Sequence, residues 1–337
     1  MSSLLVIGAG SWGSALAIHL ARAGHTVWLW GRDPATMAQM ATERYNRRYL
    51  PDTPLAEGVI PIGGKSYPDA DAILIAVPSH AFRATVKELQ PQLRETRLAW
   101  ATKGFEQQSG KLLHQIIEEE LGIAYGSAVI SGPTFATEVA AGLPAAVTVA
   151  ANRPELGQWW LEQLHTPRFR AYASDDLIGV ELGGACKNVL AVAAGIADGL
   201  DFGANTRAAL ITRGLHEINR LGQAMGAKTE TLMGLAGLGD LLLTCTDNHS
   251  RNRRVGLGLG RGEPLHQVIA TIGQAVEGVT SAPEVVRLAN RYQIEMPIAE
   301  QVYRVLYHNH PPQQAVEELL GRSVKREYDT ETVPLSS

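Results

Sequence analysis

Leu4-Leu5-Val6-Ile7-Gly8-Ala9-Gly10-Ser11-Trp12-Gly13 decides the fold. Four apolar residues make a short buried strand, and G-x-G-x-x-G follows directly. Trp12, Ala15, Leu16 and Leu20 then recur at helical spacing. Strand, glycine turn and helix in this order form the opening of a dinucleotide-binding unit. Gly8 allows the tight turn, Gly10 lets a pyrophosphate approach the backbone, and Gly13 lets the helix pack on the strand. The free N–H groups of Ser11, Trp12 and the rest of the first turn then face the phosphates.

Outward from that stretch, the first half alternates apolar runs with amphipathic ones. Thr26 to Trp30, Ala72 to Val77, Leu98 to Thr102, Ala128 to Ser131 and Ala145 to Ala150 read as further buried strands. They lack period-two alternation, as expected where helices cover both faces of a sheet. This predicts a doubly wound α/β domain with a mostly parallel sheet over 1–175. Beyond Ser174 the patterns are helical: Asp176 to Leu200, Thr206 to Met225, Ala282 to Tyr292 and Ile298 to Tyr307. An all-α domain is therefore predicted over 176–325, capped at its start by Ser174-Asp175-Asp176. Residues 326–337 are polar and aperiodic and read as a loose tail.

The chain of 337 residues carries 30 Lys and Arg against 34 Asp and Glu, a net charge of −4. That balance offers no general field for nucleic acid or an anionic membrane, so any anion must be held by a local cluster. Cys186 and Cys245 form no CxxC pair, and the ten histidines show no metal spacing. A reducing cytoplasm, no signal peptide, no membrane insertion and no metal are the expectations. Gly63-Gly64-Lys65-Ser66 imitates the end of a P-loop, but Val59 replaces its first glycine and Tyr67-Pro68 follow, so it reads as a turn.

The second strand ends in Gly31-Arg32-Asp33, where an acidic residue would hold the adenosine ribose of NAD. Arg32 favours the 2′-phosphate of NADP, while Asp33 leaves NAD open. Lys103 and the turn Gly132-Pro133-Thr134-Phe135-Ala136 follow strands, at the carboxyl edge where open sheets bind ligands. Lys187 lies in Leu182-Gly183-Gly184-Ala185-Cys186-Lys187-Asn188, inside a helix apolar on nearly all sides. A buried lysine beside two helix-weakening glycines implies close approach by another group. Its ammonium suits protonation of a carbonyl oxygen as hydride arrives, with Lys103 as a second cation lowering its pKa. Asp240 sits in a glycine-rich apolar stretch and is expected to turn inward toward a lysine or a substrate hydroxyl. Ser250-Arg251-Asn252-Arg253-Arg254 packs three arginines into four residues, a candidate phosphate grip through Arg251 and Asn252.

GAGSWGSALA, the TKG at Lys103, GPTFA at 132–136, ELGGACKNVLAVAAGIADGL, NTRAALITRGL and GLAGLGDLLLTCTDNHSRNRR together resemble the bacterial NAD(P)-dependent glycerol-3-phosphate dehydrogenases. The resemblance implies a Rossmann domain, a helical domain and a cleft between them. It implies reduction of dihydroxyacetone phosphate to sn-glycerol 3-phosphate, for phospholipid backbones, by a cytoplasmic homodimer. Lys187 would be the proton donor and acceptor. Lys103, Gly132, Thr134, Asp240, Ser250, Arg251 and Asn252 would line the substrate site. Ser11, Trp12, Arg32, Lys103, Ala136, Arg251 and Glu277 would contact the cofactor. Two other readings stay open. One is a 3-hydroxyacid dehydrogenase of similar plan, whose substrate carries a carboxylate; the other is a non-catalytic NAD(P)H sensor.

Overall fold

The computed structural model describes residues 1–93 and 96–323, so the tail assigned to 326–337 lies outside the described residues. The strands are β1 (Ser3–Ile7), β2 (Thr26–Gly31), β3 (Tyr45–Asn46), β4 (Leu50–Pro54), β5 (Val59–Gly63), β6 (Ala72–Ile75), β7 (Arg97–Trp100), β8 (Ser127–Ser131), β9 (Ala145–Ala151) and β10 (Phe169–Ser174). Eight of them form one sheet in the order β10-β9-β8-β7-β6-β1-β2-β5, while β3 and β4 make a separate hairpin. Every neighbouring pair in the large sheet is parallel except β8–β9. Leu4 to Ile7 are fully buried, paired to β2 on one side and β6 on the other.

The chain winds outward from β1 to β2 and β5, then crosses back to β6 on the opposite flank. That reversal opens a crevice at the carboxyl ends of β1 and β6, where such sheets bind ligands. Gly8 follows β1 with φ +116°, and a Cβ there would stand 2.6 Å from the Ala76 carbonyl oxygen just past β6. A Cβ on Gly13 would overlap the Gly8 carbonyl, so the helix Ser11–Arg22 lies against the turn only because Gly13 has no side chain.

Two strands of the large sheet escaped the sequence reading, and both are edge strands. β5 carries Pro61 and Gly63, which punctuate its apolar pattern. β10 has mostly exposed or half-exposed side chains and so lacks a continuous apolar run. Gly64 and Lys65 form a bend after β5 and no helix follows, in keeping with the turn.

After Ser174 the described chain is helical. The helix Leu177–Gly199 is the axis of this part, starting at Asp176, whose side chain accepts from Gly179 N at 2.8 Å and from Lys228 N at 2.8 Å. It is long and apolar enough to cross a membrane, yet 89% of its most apolar window is buried inside the fold. The helices Gly203–Met225, Asp240–Thr246, Arg251–Gly260, Glu277–Tyr292 and Pro297–Tyr307 surround it. A helix packed on all sides must be apolar on all sides. Its three charged residues are all paired: Glu181 with His114, Lys187 with Asp240, Asp198 with Arg207 and Arg253. Gly195 and Gly199 cross Gly256 and Gly260 of the helix Arg251–Gly260, backbone against backbone.

Candidate active site

Lys103, just past β7, and Lys187, inside the helix Leu177–Gly199, converge on one carboxylate. Asp240 is completely buried at the start of the helix Asp240–Thr246, after a wide π-type turn over Leu235–Gly239. Its Oδ1 accepts from Lys187 Nζ, and its Oδ2 accepts from Lys103 Nζ at 2.6 Å. Lys187 also donates to Thr244 Oγ1 at 2.9 Å, and Thr244 donates to the Asp240 carbonyl at 2.6 Å, one helical turn back. Lys103 donates a second bond to Gly132 O at 3.1 Å, which also receives the Thr134 hydroxyl at 3.2 Å. Lysine, aspartate, lysine and the GPTF turn therefore form one connected set.

The glycines beside Lys187 have the role their cost implied. A Cβ on Gly183 would stand 2.5 Å from the Ala236 carbonyl oxygen, in the turn that carries Asp240. A Cβ on Gly184 would stand 2.9 Å from Ser131 Oγ and 3.5 Å from the Lys103 stem. The closely approaching groups are the neighbouring backbone and Lys103 themselves.

Burial lowers the Lys187 pKa to about 8; Asp240 opposes the shift and Lys103 adds to it. An ammonium with that pKa donates a proton readily near neutrality and accepts one back in mild alkali.

The fingerprint end supplies an anion cradle. Among the described residues no side chain caps the helix Ser11–Arg22 and nothing lies within 4 Å of a Cβ placed on Gly10, which leaves the backbone there open to a ligand. The buried Trp12 indole N–H has no partner among the described residues. Together the open turn and the uncapped first turn fit a dinucleotide pyrophosphate. Arg32 emerges exposed at the end of β2. Asp33 is engaged as an N-cap, accepting from Ala35 N, Thr36 N and the Thr36 hydroxyl. Ala136 opens the short helix Ala136–Ala141 and packs, like Trp12, against the core beneath the turn.

The arginine run divides. Arg251 faces the cleft: its Nη1 donates to Gln274 Oε1 at 3.2 Å, and the Ser11 hydroxyl reaches the same oxygen at 3.5 Å. Arg253 instead turns to the far side and pairs with Asp198 at 2.5 Å, and Arg254 is exposed. The three-arginine cluster is thus one cleft arginine, because successive helical residues point about 100° apart. Ser250 caps this helix, accepting from Arg253 N at 3.2 Å. Asn252 donates to Asn188 Oδ1 at 2.8 Å and accepts from Gly278 N at 2.8 Å. Its side chain is therefore committed to bracing Arg251 next to Lys187, and the uncapped N–H groups at the helix start remain for an anion.

Glu277 spans the two halves of the chain, accepting the Ser79 hydroxyl at 2.8 Å and Ser79 N at 3.3 Å. Thr244, Ser79, Gln274 and Asn46 were missed from sequence. Only Thr244 had a signal there, its four-residue spacing from Asp240. Among the described residues no group of His, Cys, Asp and Glu is arranged to hold a metal.

Comparison with known proteins follows the same division. The family model for the N-terminus of NAD-dependent glycerol-3-phosphate dehydrogenase matches residues 3–157, and that for its C-terminus matches 176–317. A glycerol-3-phosphate dehydrogenase of the NAD(P)+ type from Thioalkalivibrio sulfidiphilus is 57% identical over 326 residues, covering 96% of this chain and 98% of its own. The crystal structure of glycerol-3-phosphate dehydrogenase from Coxiella burnetii superposes with TM-score 0.90 at 49% identity, covering 95% of this chain and 99% of its own. D-mandelate dehydrogenase, at 12% identity and TM-score 0.63, shares the fold alone. Sheet, cleft and both halves of the sequence agree: the chain belongs to the NAD-dependent glycerol-3-phosphate dehydrogenase family.

Proposed function

We propose that this cleft interconverts dihydroxyacetone phosphate and sn-glycerol 3-phosphate, with Lys187 as the proton donor and acceptor. The observation that carries the reading is the buried Lys187 ammonium, held by Asp240 and Thr244 and lowered to about 8. Bound NAD(P)H supplies the hydride that reaches the carbonyl carbon. As the C=O bond opens, negative charge develops on the oxygen, and Lys187 stabilises it and then transfers a proton to it. Asp240 keeps both lysines oriented. Lys103, which also touches the Gly132 carbonyl, holds the ketone end of the substrate.

Arg251 and the free N–H groups at its helix start hold the substrate phosphate, with Ser250 and Asn252 shaping that site through the cap and the Asn188 brace. Gly132 and Thr134 line the opposite wall. Gly8, Gly10, Ser11, Trp12, Gly13 and Ala136 hold the dinucleotide, with Glu277 and Arg251 at its far side. Arg32, with Asp33 engaged as a cap, favours the 2′-phosphate of NADP. The domain boundary belongs at 175/176, between the end of β10 and Asp176, the cap of the Lys187 helix. The cytoplasm is the proposed location, consistent with two buried free thiols, and a homodimer the proposed assembly, which light scattering tests.

The test is the fall in absorbance of NADPH, and separately of NADH, with dihydroxyacetone phosphate and with 2-keto acids. Turnover confined to the phosphorylated ketone supports the reading. Turnover of keto acids alone overturns it, and cofactor binding without turnover of either leaves a sensor. Arg251→Ala is expected to raise KM for the phosphorylated ketone at least tenfold, because a charge-assisted contact made in both ground and transition states is lost. An unchanged KM removes Arg251 from the phosphate site.

A further inference from the structure

The pyrophosphate turn is braced from outside the fingerprint. Asn46, at the end of β3, is 2% exposed and reaches the turn with both amide N–H groups and its amide oxygen engaged. Its Nδ2 donates to Ala9 O at 3.0 Å and to Ser14 Oγ at 2.8 Å. Its Oδ1 accepts from Tyr49 N at 3.2 Å, which fixes the amide orientation, because a flipped amide would set oxygen against the Ala9 carbonyl. We propose that Asn46 is the positioning residue of the cofactor site, locking the Ala9–Gly10 peptide so that its N–H faces the dinucleotide pyrophosphate.

The reason lies in the glycine that contributes the N–H of that peptide. The plane between Ala9 and Gly10 turns about ψ of Ala9 and φ of Gly10, and at Gly10 no side chain restrains that φ. In a trans peptide the carbonyl and the N–H point in opposite directions. Holding Ala9 O toward Asn46 therefore aims the Gly10 N–H away from Asn46 and out of the core. The second bond, to the wholly buried Ser14 hydroxyl, ties the same amide to the first turn of the helix Ser11–Arg22.

The brace is itself anchored. Asn46 pairs with Leu50 across the hairpin, and Leu50 is buried in the core beneath the sheet. Arg44, just before β3, donates to Val59 O at 2.8 Å and to Ala56 O at 2.6 Å. The hairpin is thereby fixed to the approach to β5, and Asn46 cannot drift with the loop it holds.

This inference rests on the proposed dinucleotide site, and direct titration of NADPH into the purified protein separates the two. Asn46→Ala is expected to weaken NADPH binding about tenfold or more, since a buried carbonyl and a hydroxyl lose their partners. Ser14→Ala, which keeps the Ala9 bond, should weaken it less. Asn46→Asp keeps the size and the acceptor for Tyr49 but removes both donors, and should behave like Asn46→Ala even where alanine unfolds the chain. In turnover the loss should fall mainly on KM for NADPH, with KM for the ketone far less affected. Normal NADPH affinity in folded Asn46→Asp overturns the inference while leaving the function intact. Wild-type protein that binds NADPH but turns over no phosphorylated ketone overturns the function instead.

Discussion

Asp240 is the residue on which the proposed chemistry turns: it accepts from both lysines and takes no part in the proposed proton transfer. Burial of the Lys187 ammonium lowers its pKa, and Lys103 on the same carboxylate lowers it further against the opposing pull of Asp240. The proton needed by the forming alkoxide is therefore weakly held. Lys187→Ala is expected to lower kcat by about 10²–10⁴-fold, the usual contribution of a positioned general acid. NADPH affinity, read by titration, should be unchanged, and near-normal turnover in this variant would remove Lys187 from the reaction. The pH dependence has opposite signs in the two directions. Ketone reduction needs charged Lys187, so kcat/KM should be level below pH 8 and fall above it. Alcohol oxidation needs the neutral amine, so its rate should rise toward pH 8 and level off beyond. Parallel profiles in both directions would assign the ionisation to another group.

At the scale of elements, the site depends on how closely the helix Leu177–Gly199 meets its neighbours. The glycine pairs Gly195/Gly199 and Gly256/Gly260 bring two backbones into contact, and that contact places Arg251 on the same wall as Lys187. The same spacing recurs in membrane helix pairs, for the same steric reason: small residues let helix axes approach. Here the crossing serves a core helix, whose charged residues all have partners. Gly195→Ala would drive a Cβ into the Arg253 carbonyl and the Gly256 backbone. A loss of about 1–3 kcal/mol or more in urea unfolding is expected, because two backbones cannot yield as a side chain can. Turnover should fall with it, as Arg251 moves away from Lys187. A variant as stable as the parent would show that the helices separate freely.

At the scale of the whole molecule, the helical part carries a buried acid away from the cleft. Glu217 is 2% exposed and accepts from Ile298 N at 2.8 Å and Ala299 N at 3.2 Å, closing the start of the helix Pro297–Tyr307. Burial raises its pKa to about 7, against the opposing pull of those two N–H groups and the arginines nearby. A folded-state pKa above the unfolded one means the native protein binds the extra proton between about pH 4.5 and 7. This contribution to stability is full below that window and lost as pH rises through 7. Glu217→Gln should therefore flatten the fall in urea midpoint between pH 5 and 8, by an amount on the order of 2–3 kcal/mol in unfolding free energy. An identical fall in the variant would assign the slope elsewhere.

Of all this, the sequence alone determined what depends on local spacing: the glycine turn after β1, the central strands buried on both faces, the helical second half, and a lysine that its apolar helix could not leave unpartnered. Edge strands β5 and β10 were hidden because one exposed face, or a proline and a glycine, breaks the apolar run by which buried strands are read. Arg251, Arg253 and Arg254 are adjacent on paper, and only the helix's rotation sent one to the cleft and one to Asp198. Asn46 and Gln274 left no trace in the pattern, since an amide reaching across the fold has no period. Tertiary structure alone decided that Lys103, Lys187 and Asp240, separated by up to 137 positions, would share one carboxylate. Periodicity records which face of an element is buried, whereas a site is made where faces of different elements meet.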